Sequence, residues 1–249
     1  MDDRNEKIGA DVKMHIRTNE KLENFWYHYK WHTIAAAFVL VVGVILTLQL
    51  CTKVNYDLHV IYAGEKIIKS SSLSGDGKSE YSDLIMLLSS IGNDENNDGN
   101  VNVNLQNIYI LSEKELEEKK NSITDSMQKA SLESEMQENY DLLYNYIMYG
   151  DYYLCFLSED IFFDYESRLG ASVFAPISDY AKDGGEYSYA SERGVYLSSL
   201  EIYKTTSLSL LPADTVVCIR LPGVLGSRDD GSAYAAAEAL LKKILFYNE

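Results

Sequence analysis

The sequence predicts a transmembrane helix followed by a three-layer α/β domain with a mainly parallel sheet, and three observations carry that expectation. Residues 33–51, TIAAAFVLVVGVILTLQLC, are an uncharged run of nineteen. Beyond it, short alternating or wholly apolar stretches take turns with stretches of helical spacing, the pattern of strands joined by crossover helices. The acidic surplus also lies beyond the run. Residues 1–51 hold six Lys/Arg and six Asp/Glu, so the formal charge of −16 belongs to residues 52–249.

At ~1.5 Å per residue the run covers close to the roughly 30 Å of bilayer hydrocarbon. A buried helix of a soluble protein would keep a polar face, and this one has none. Immediately before it stands Phe25-Trp26-Tyr27-His28-Tyr29-Lys30-Trp31-His32, which holds both tryptophans and reads as an aromatic belt at one interface. Bulky Leu50 before Cys51 and the charged segment ahead of the run argue for an uncleaved anchor. Lys13, Arg17, Lys21 and Lys30 outnumber Lys53, Lys66 and Lys69 across the span. The positive-inside bias therefore places a short tail, residues 1–32, in the cytoplasm and residues 52–249 outside the cell membrane.

The 198 residues after the span suffice for one domain with a sizeable core. Asp57–Ala63 alternates as a strand, and Ser79 caps a helix whose apolar face is Leu84, Ile85, Leu87, Leu88 and Ile91, stopped by Gly92. Val101, Val103, Leu105, Ile108 and Ile110 mark a second strand. Ser112-Glu113-Lys114-Glu115 is a capping box opening a charged helix. A further helix from about Thr124 to Tyr149 carries Met127, Met136, Tyr140, Leu143 and Ile147 near helical spacing, and Gly150 ends it. Tyr152–Leu157 is a continuous apolar strand, and Ser158 caps a short helix ending near Gly170. After a poorly patterned stretch, Thr215–Leu221 reads as another buried strand and Ala233–Tyr247 as a closing helix.

The passage Gly150-Asp151-Tyr152-Tyr153-Leu154-Cys155-Phe156-Leu157-Ser158-Glu159-Asp160, continuing through Tyr165 and Gly170 to Phe174-Ala175-Pro176-Ile177, resembles extracytoplasmic solute-binding proteins of the type 2, maltose-binding kind. Gly194-Val195-Tyr196-Leu197 with Tyr203-Lys204 is similar to the stretch where that family's chain crosses between lobes. Only about 45 residues follow Tyr203, so a second lobe does not fit. The resemblance implies one lobe of a periplasmic binding protein on an anchor, without clamshell closure. A ligand would then sit at the carboxyl ends of the parallel strands, against Gly64 and Glu65 after the first and Ser158, Glu159 and Asp160 after the third. The competing reading is that Ser158–Asp160 only cap a helix.

Asp94-Glu95-Asn96-Asn97-Asp98-Gly99-Asn100-Val101-Asn102 follows the first nine positions of a calcium loop, with Asp94, Asn96, Asp98, Asn100 and Asn102 as candidate oxygen ligands. Position 12 is Leu105 rather than a bidentate acid, and a strand rather than a helix follows. Ca2+ is therefore weighed against an Asn/Asp/Gly turn with Gly99 at positive φ. Ser72–Ser79 ends like a P-loop but lacks its first glycine and points Asp76 at the phosphates, so it reads as a connector.

Enzymatic chemistry finds little support. His59 alone of the four histidines lies beyond the span, inside a strand pattern, and no His/Cys cluster has zinc spacing. Cys155 and Cys218 both fall in apolar strands, either paired or as buried thiols. The acidity of residues 52–249 excludes nucleic acid and anionic lipid as partners of that surface. The expected roles are a non-enzymatic module that binds a small solute or, alternatively, a subunit that docks another extracytoplasmic protein. Twenty tyrosines, many between Tyr140 and Tyr203, suit either recognition or half-buried packing.

Overall fold

The structure, a computed structural model, describes residues 3–51, 54–70, 79–169, 173–181, 187–222 and 231–247. The chain divides into two units, Met1–Val54 and Asn55–Glu249. The first is helix α1 (Asp3–Cys51). Within it Phe25–Gln49, whose most apolar 18-residue window has mean hydropathy 2.2, is long and apolar enough to cross a membrane. Successive residues Phe38, Val39 and Leu40 are 68%, 68% and 66% exposed. Consecutive helical positions point to different sides, so apolar surface encircles the helix in this stretch.

The second unit is an α/β domain. Its strands are β1 (Leu58–Gly64), β2 (Val103–Tyr109), β3 (Leu154–Leu157), β4 (Tyr189–Ser191), β5 (Gly194–Tyr196) and β6 (Val216–Ile219). Its helices are α2 (Glu80–Ile91), α3 (Glu113–Ser122), α4 (Ser126–Tyr149), α5 (Glu159–Leu169), α6 (Glu201–Thr205) and α7 (Ser232–Leu245). All six strands form one sheet in the order β2-β1-β3-β6-β5-β4.

Side chains alternate across the sheet. Val60 and Tyr62 of β1 pack with Leu84 and Leu88 of α2 and with Leu240, Leu241 and Ile244 of α7. Ile61 and Ala63 face the other way, against Leu143 and Ile147 of α4 and Ile161 and Phe162 of α5. Helices thus cover both faces, the three-layer arrangement expected of buried strands. Leu111, Leu132 and Met136 make a smaller third cluster that seats α3 on α4.

The expectation of a mainly parallel sheet is corrected. β1 runs parallel to β2 and β3, but β3–β6, β5–β6 and β4–β5 are antiparallel. Two residues, Glu192 and Arg193, join β4 to β5, and a link that short permits only antiparallel pairing. β6 is buried on both faces, so its apolar run carries no mark of its direction.

Local signals account for most boundaries. Ser79 Oγ accepts the Ser82 N–H (3.0 Å) at the start of α2. The Ser112 capping box forms in full: Ser112 Oγ accepts from Glu115 N–H (3.3 Å) and Glu115 Oε2 accepts from Ser112 N–H (2.7 Å). Met127, expected on the apolar face of α4, is 79% exposed because it sits in the first turn, away from the sheet. Gly170, Ser72–Lys78 and the residues after Pro222 up to Asp230 lie outside the described residues.

Candidate functional site

Parallel strands β1 and β3 and strand β5 end on one edge of the sheet, and β6 begins there, so their flanking loops converge. Gly64 closes β1, its carbonyl accepting from Ile110 N–H (3.0 Å), while Ser158 N–H donates to Ala63 (2.9 Å). A Cβ added at Gly64 would stand 3.0 Å from Tyr62 Oη and 3.2 Å from Ser158 Cβ. Around Gly64, then, the space between β1 and β3 is taken up by Tyr62 and Ser158. Ser158 holds the cap position of α5, its carbonyl accepting from Phe162 N–H (2.9 Å).

Carboxyl groups gather around this edge. Glu65 and Glu115 share a side-chain hydrogen bond, which raises the pKa of Glu65. Burial opposes ionisation of Glu115, yet the bonds from Ser112 and Glu65 prevail and hold its pKa below the usual range. Glu159 accepts a hydrogen bond from Tyr196 Oη (2.6 Å), and this bond, with burial behind it, pushes the Tyr196 pKa to about 12. Asp214, just before β6, acts electrostatically on Glu65, Tyr62 and Tyr196. Tyr62 is fully buried, and burial drives its phenol well above its ordinary pKa. Its Oη completes no hydrogen bond, although the Lys66 amide is near enough to offset part of that shift.

Asp160 points elsewhere. It stands on the rim of an open groove of ≈1000 Å³ between α3, α4 and α5. Tyr140, Tyr144, Phe163 and Leu169 line it with apolar and aromatic surface, over buried Leu111 and Met136. Tyr144 is 40% and Phe163 38% exposed. Glu113, Glu133, Asp141, Asp160 and Asp164 line the same groove, with Lys114 and Arg168 as its basic residues. Arg168 is held by Asp164 (Nε–Oδ1 2.7 Å), and Glu133 is held by Lys120.

The candidate calcium loop folds onto its own backbone. Asp94 accepts from Asp98 N–H (3.2 Å) and Gly99 N–H (2.8 Å), Asn96 from Asp98 N–H (2.8 Å), and Asp98 from Asn100 N–H (2.9 Å). Asn97 (φ 58°) and Gly99 (φ 88°) supply the left-handed turns. Asp57, 5% exposed, clamps the loop by accepting from Glu95 (3.1 Å), Asn96 (3.1 Å) and Asn102 (2.8 Å) N–H groups. Among the described residues no group of three or more His, Cys, Asp or Glu could hold a metal ion.

The sequence pairs Glu65 with Ser158–Asp160 as one candidate set, and the structure divides it. Gly64, Ser158 and Glu159 belong to the strand-end edge, and Asp160 belongs to the groove. Glu115, Asp214 and Asp57 escape that reading because they come from separate elements. The groove was partly visible as the four-residue spacing Met136, Tyr140, Tyr144 on α4. His59, near the amino end of β1, lies against the Tyr152 ring (5.2 Å between centroids) and Asn104 (3.3 Å). Cys155 and Cys218 face each other directly across β3 and β6 as fully buried free thiols.

Arg220, inside an apolar run, is buried and carries no sequence signal of its role. Its Nε donates to Tyr152 O (3.3 Å) and its Nη2 to Gly150 O (2.6 Å), with its guanidinium 4.3 Å from the Tyr153 ring centre. It ties β6 to the turn that links α4 and β3. In comparisons with known proteins the chain matches no family model, no curated protein and no solved structure.

Proposed function

We propose that this chain is a non-enzymatic, single-pass membrane-anchored protein whose extracytoplasmic α/β domain docks another protein through the groove between α3, α4 and α5. One observation carries the reading: a ≈1000 Å³ opening with aromatic surface lies between α3, α4 and α5, whereas the space around Gly64 at the end of β1 is taken up by Tyr62 and Ser158. A solute-binding module needs a concave polar pocket at the strand ends, whereas an interaction subunit needs an accessible apolar surface. The apolar stretch Phe25–Gln49 supports the tether, and Lys13, Arg17, Lys21 and Lys30 before it against Lys53, Lys66 and Lys69 after it support the orientation.

Solute binding at the strand ends is the second reading, favoured by the Tyr62 hydroxyl, which completes no hydrogen bond within the field of the Glu65, Glu115 and Asp214 carboxyls, and by Glu159 on Tyr196 at the same strand ends. Thermal-shift screening of the full chain in nonionic detergent against sugars, amino acids and divalent metals separates the two. Docking predicts no saturable rise in Tm with any of them. A saturable rise that Glu159→Gln abolishes would replace docking by solute binding.

A further inference from the structure

Resting on the docking reading, we infer that the groove takes a basic amphipathic helix from the partner, apolar side chains inward and Lys/Arg along its flanks. The shape argues first. The walls are three helices, and α5, at 11 residues, is about 16 Å long. A docked helix beside it would engage about three turns, the reach of anchors at i, i+3 or i+4, and i+7. An added helix would extend the helical layer of α4 and α5 that already packs on the Ile61 and Ala63 face of the sheet. The rings of Tyr140, Tyr144 and Phe163 suit such an occupant, since aromatic side chains offer apolar contact at modest entropic cost.

Charge fixes the sign of the flanks. Two of the groove's acids already have partners, Asp164 with Arg168 and Glu133 with Lys120. Asp141 accepts from the neutral Gln137 Nε2 (3.1 Å), and Glu113, Asp141 and Asp160 stand one on each of α3, α4 and α5, with Lys114 the other basic residue of the lining. A cationic helix would meet acids on both sides of its apolar face, whereas an acidic helix or an anionic lipid headgroup would be repelled. The net charge of −16 adds long-range steering of the same sign. Charge therefore acts twice, in attraction over distance and in register at contact.

The test uses the full chain in nonionic detergent, with empty micelles as blank, and two labelled synthetic peptides of 18 residues. Both carry Leu at i, i+3, i+4 and i+7, one with Lys and one with Glu on the remaining face. The Lys peptide is expected to bind and the Glu peptide not to. The double variant Asp141→Lys/Asp160→Lys should weaken the Lys peptide at least tenfold. The equally charge-changing Glu118→Lys/Glu135→Lys, at exposed sites outside the groove, should weaken it less than threefold. Equal losses from both pairs would show charge attraction without a site and overturn the inference. If Phe163→Glu abolishes binding while Asp141→Lys/Asp160→Lys does not, docking stands and the basic helix is wrong. If no groove variant changes peptide binding beyond the Glu118→Lys/Glu135→Lys control, the groove fails as the docking site as well.

Discussion

Asp57 is the residue on which the loop between α2 and β2 hangs. Its carboxylate accepts three backbone N–H groups, from Glu95, Asn96 and Asn102, at a position 5% exposed. Asp57→Ala would leave those donors to whatever water reaches them, at a cost of about 3 kcal/mol, because hydrogen bonds to charged acceptors are the stronger class. A urea midpoint shift of that size at unchanged m-value is the expected measurement. His59 adds a pH dependence. Burial lowers its pKa, with Asp151 opposing. A histidine harder to protonate when folded than when unfolded contributes stability above its unfolded pKa of about 6.5, and that contribution is lost as pH falls. Between pH 7.5 and 5.5 the wild-type chain should lose more of its urea midpoint than His59→Gln does, and equal losses would contradict the assignment.

Elements were legible where one signal sufficed. Leu84 and Leu88 on one face of α2, Ser112 and Glu115 at the start of α3, and Gly150 at the end of α4 each specify their element with local chemistry alone. Ser112→Ala should therefore cost about 1 kcal/mol, the usual loss of a helix cap. Strands β4 and β5 escaped because three residues cannot display a period, and β6 hid its direction because both its faces are covered. The site was less legible than the fold. Glu65, Glu115, Glu159 and Asp214 meet only because four connections converge on one edge, and sequence spacing does not encode that. The Asp94–Asn102 loop shows the converse case, a ligand-like pattern whose oxygens accept from its own backbone while Asp57 clamps it. Millimolar calcium should leave the Tm unchanged, and a saturable rise removed by Asp98→Ala would show that the ion displaces those bonds.

At the scale of the molecule, the chain divides into an apolar helix and an acidic domain, and in the proposed function location falls to the first and recognition to the second. The sequence conveys this division well, because an uncharged run of nineteen and the distribution of charge are read without folding the chain. It conveys the groove poorly, since Leu111, Met136 and Phe163 come from three separate segments of the chain. Docking through that groove on the outer side of the membrane is the central claim. Its most direct measurement is photo-crosslinking in intact cells, with benzoylphenylalanine placed at Tyr144 or Phe163 and, as control, at Glu118 or Glu135. The account predicts a discrete protein adduct from the two groove positions that Asp141→Lys/Asp160→Lys suppresses, and none from the controls. Adducts of equal yield from all four positions, or from none, would contradict it.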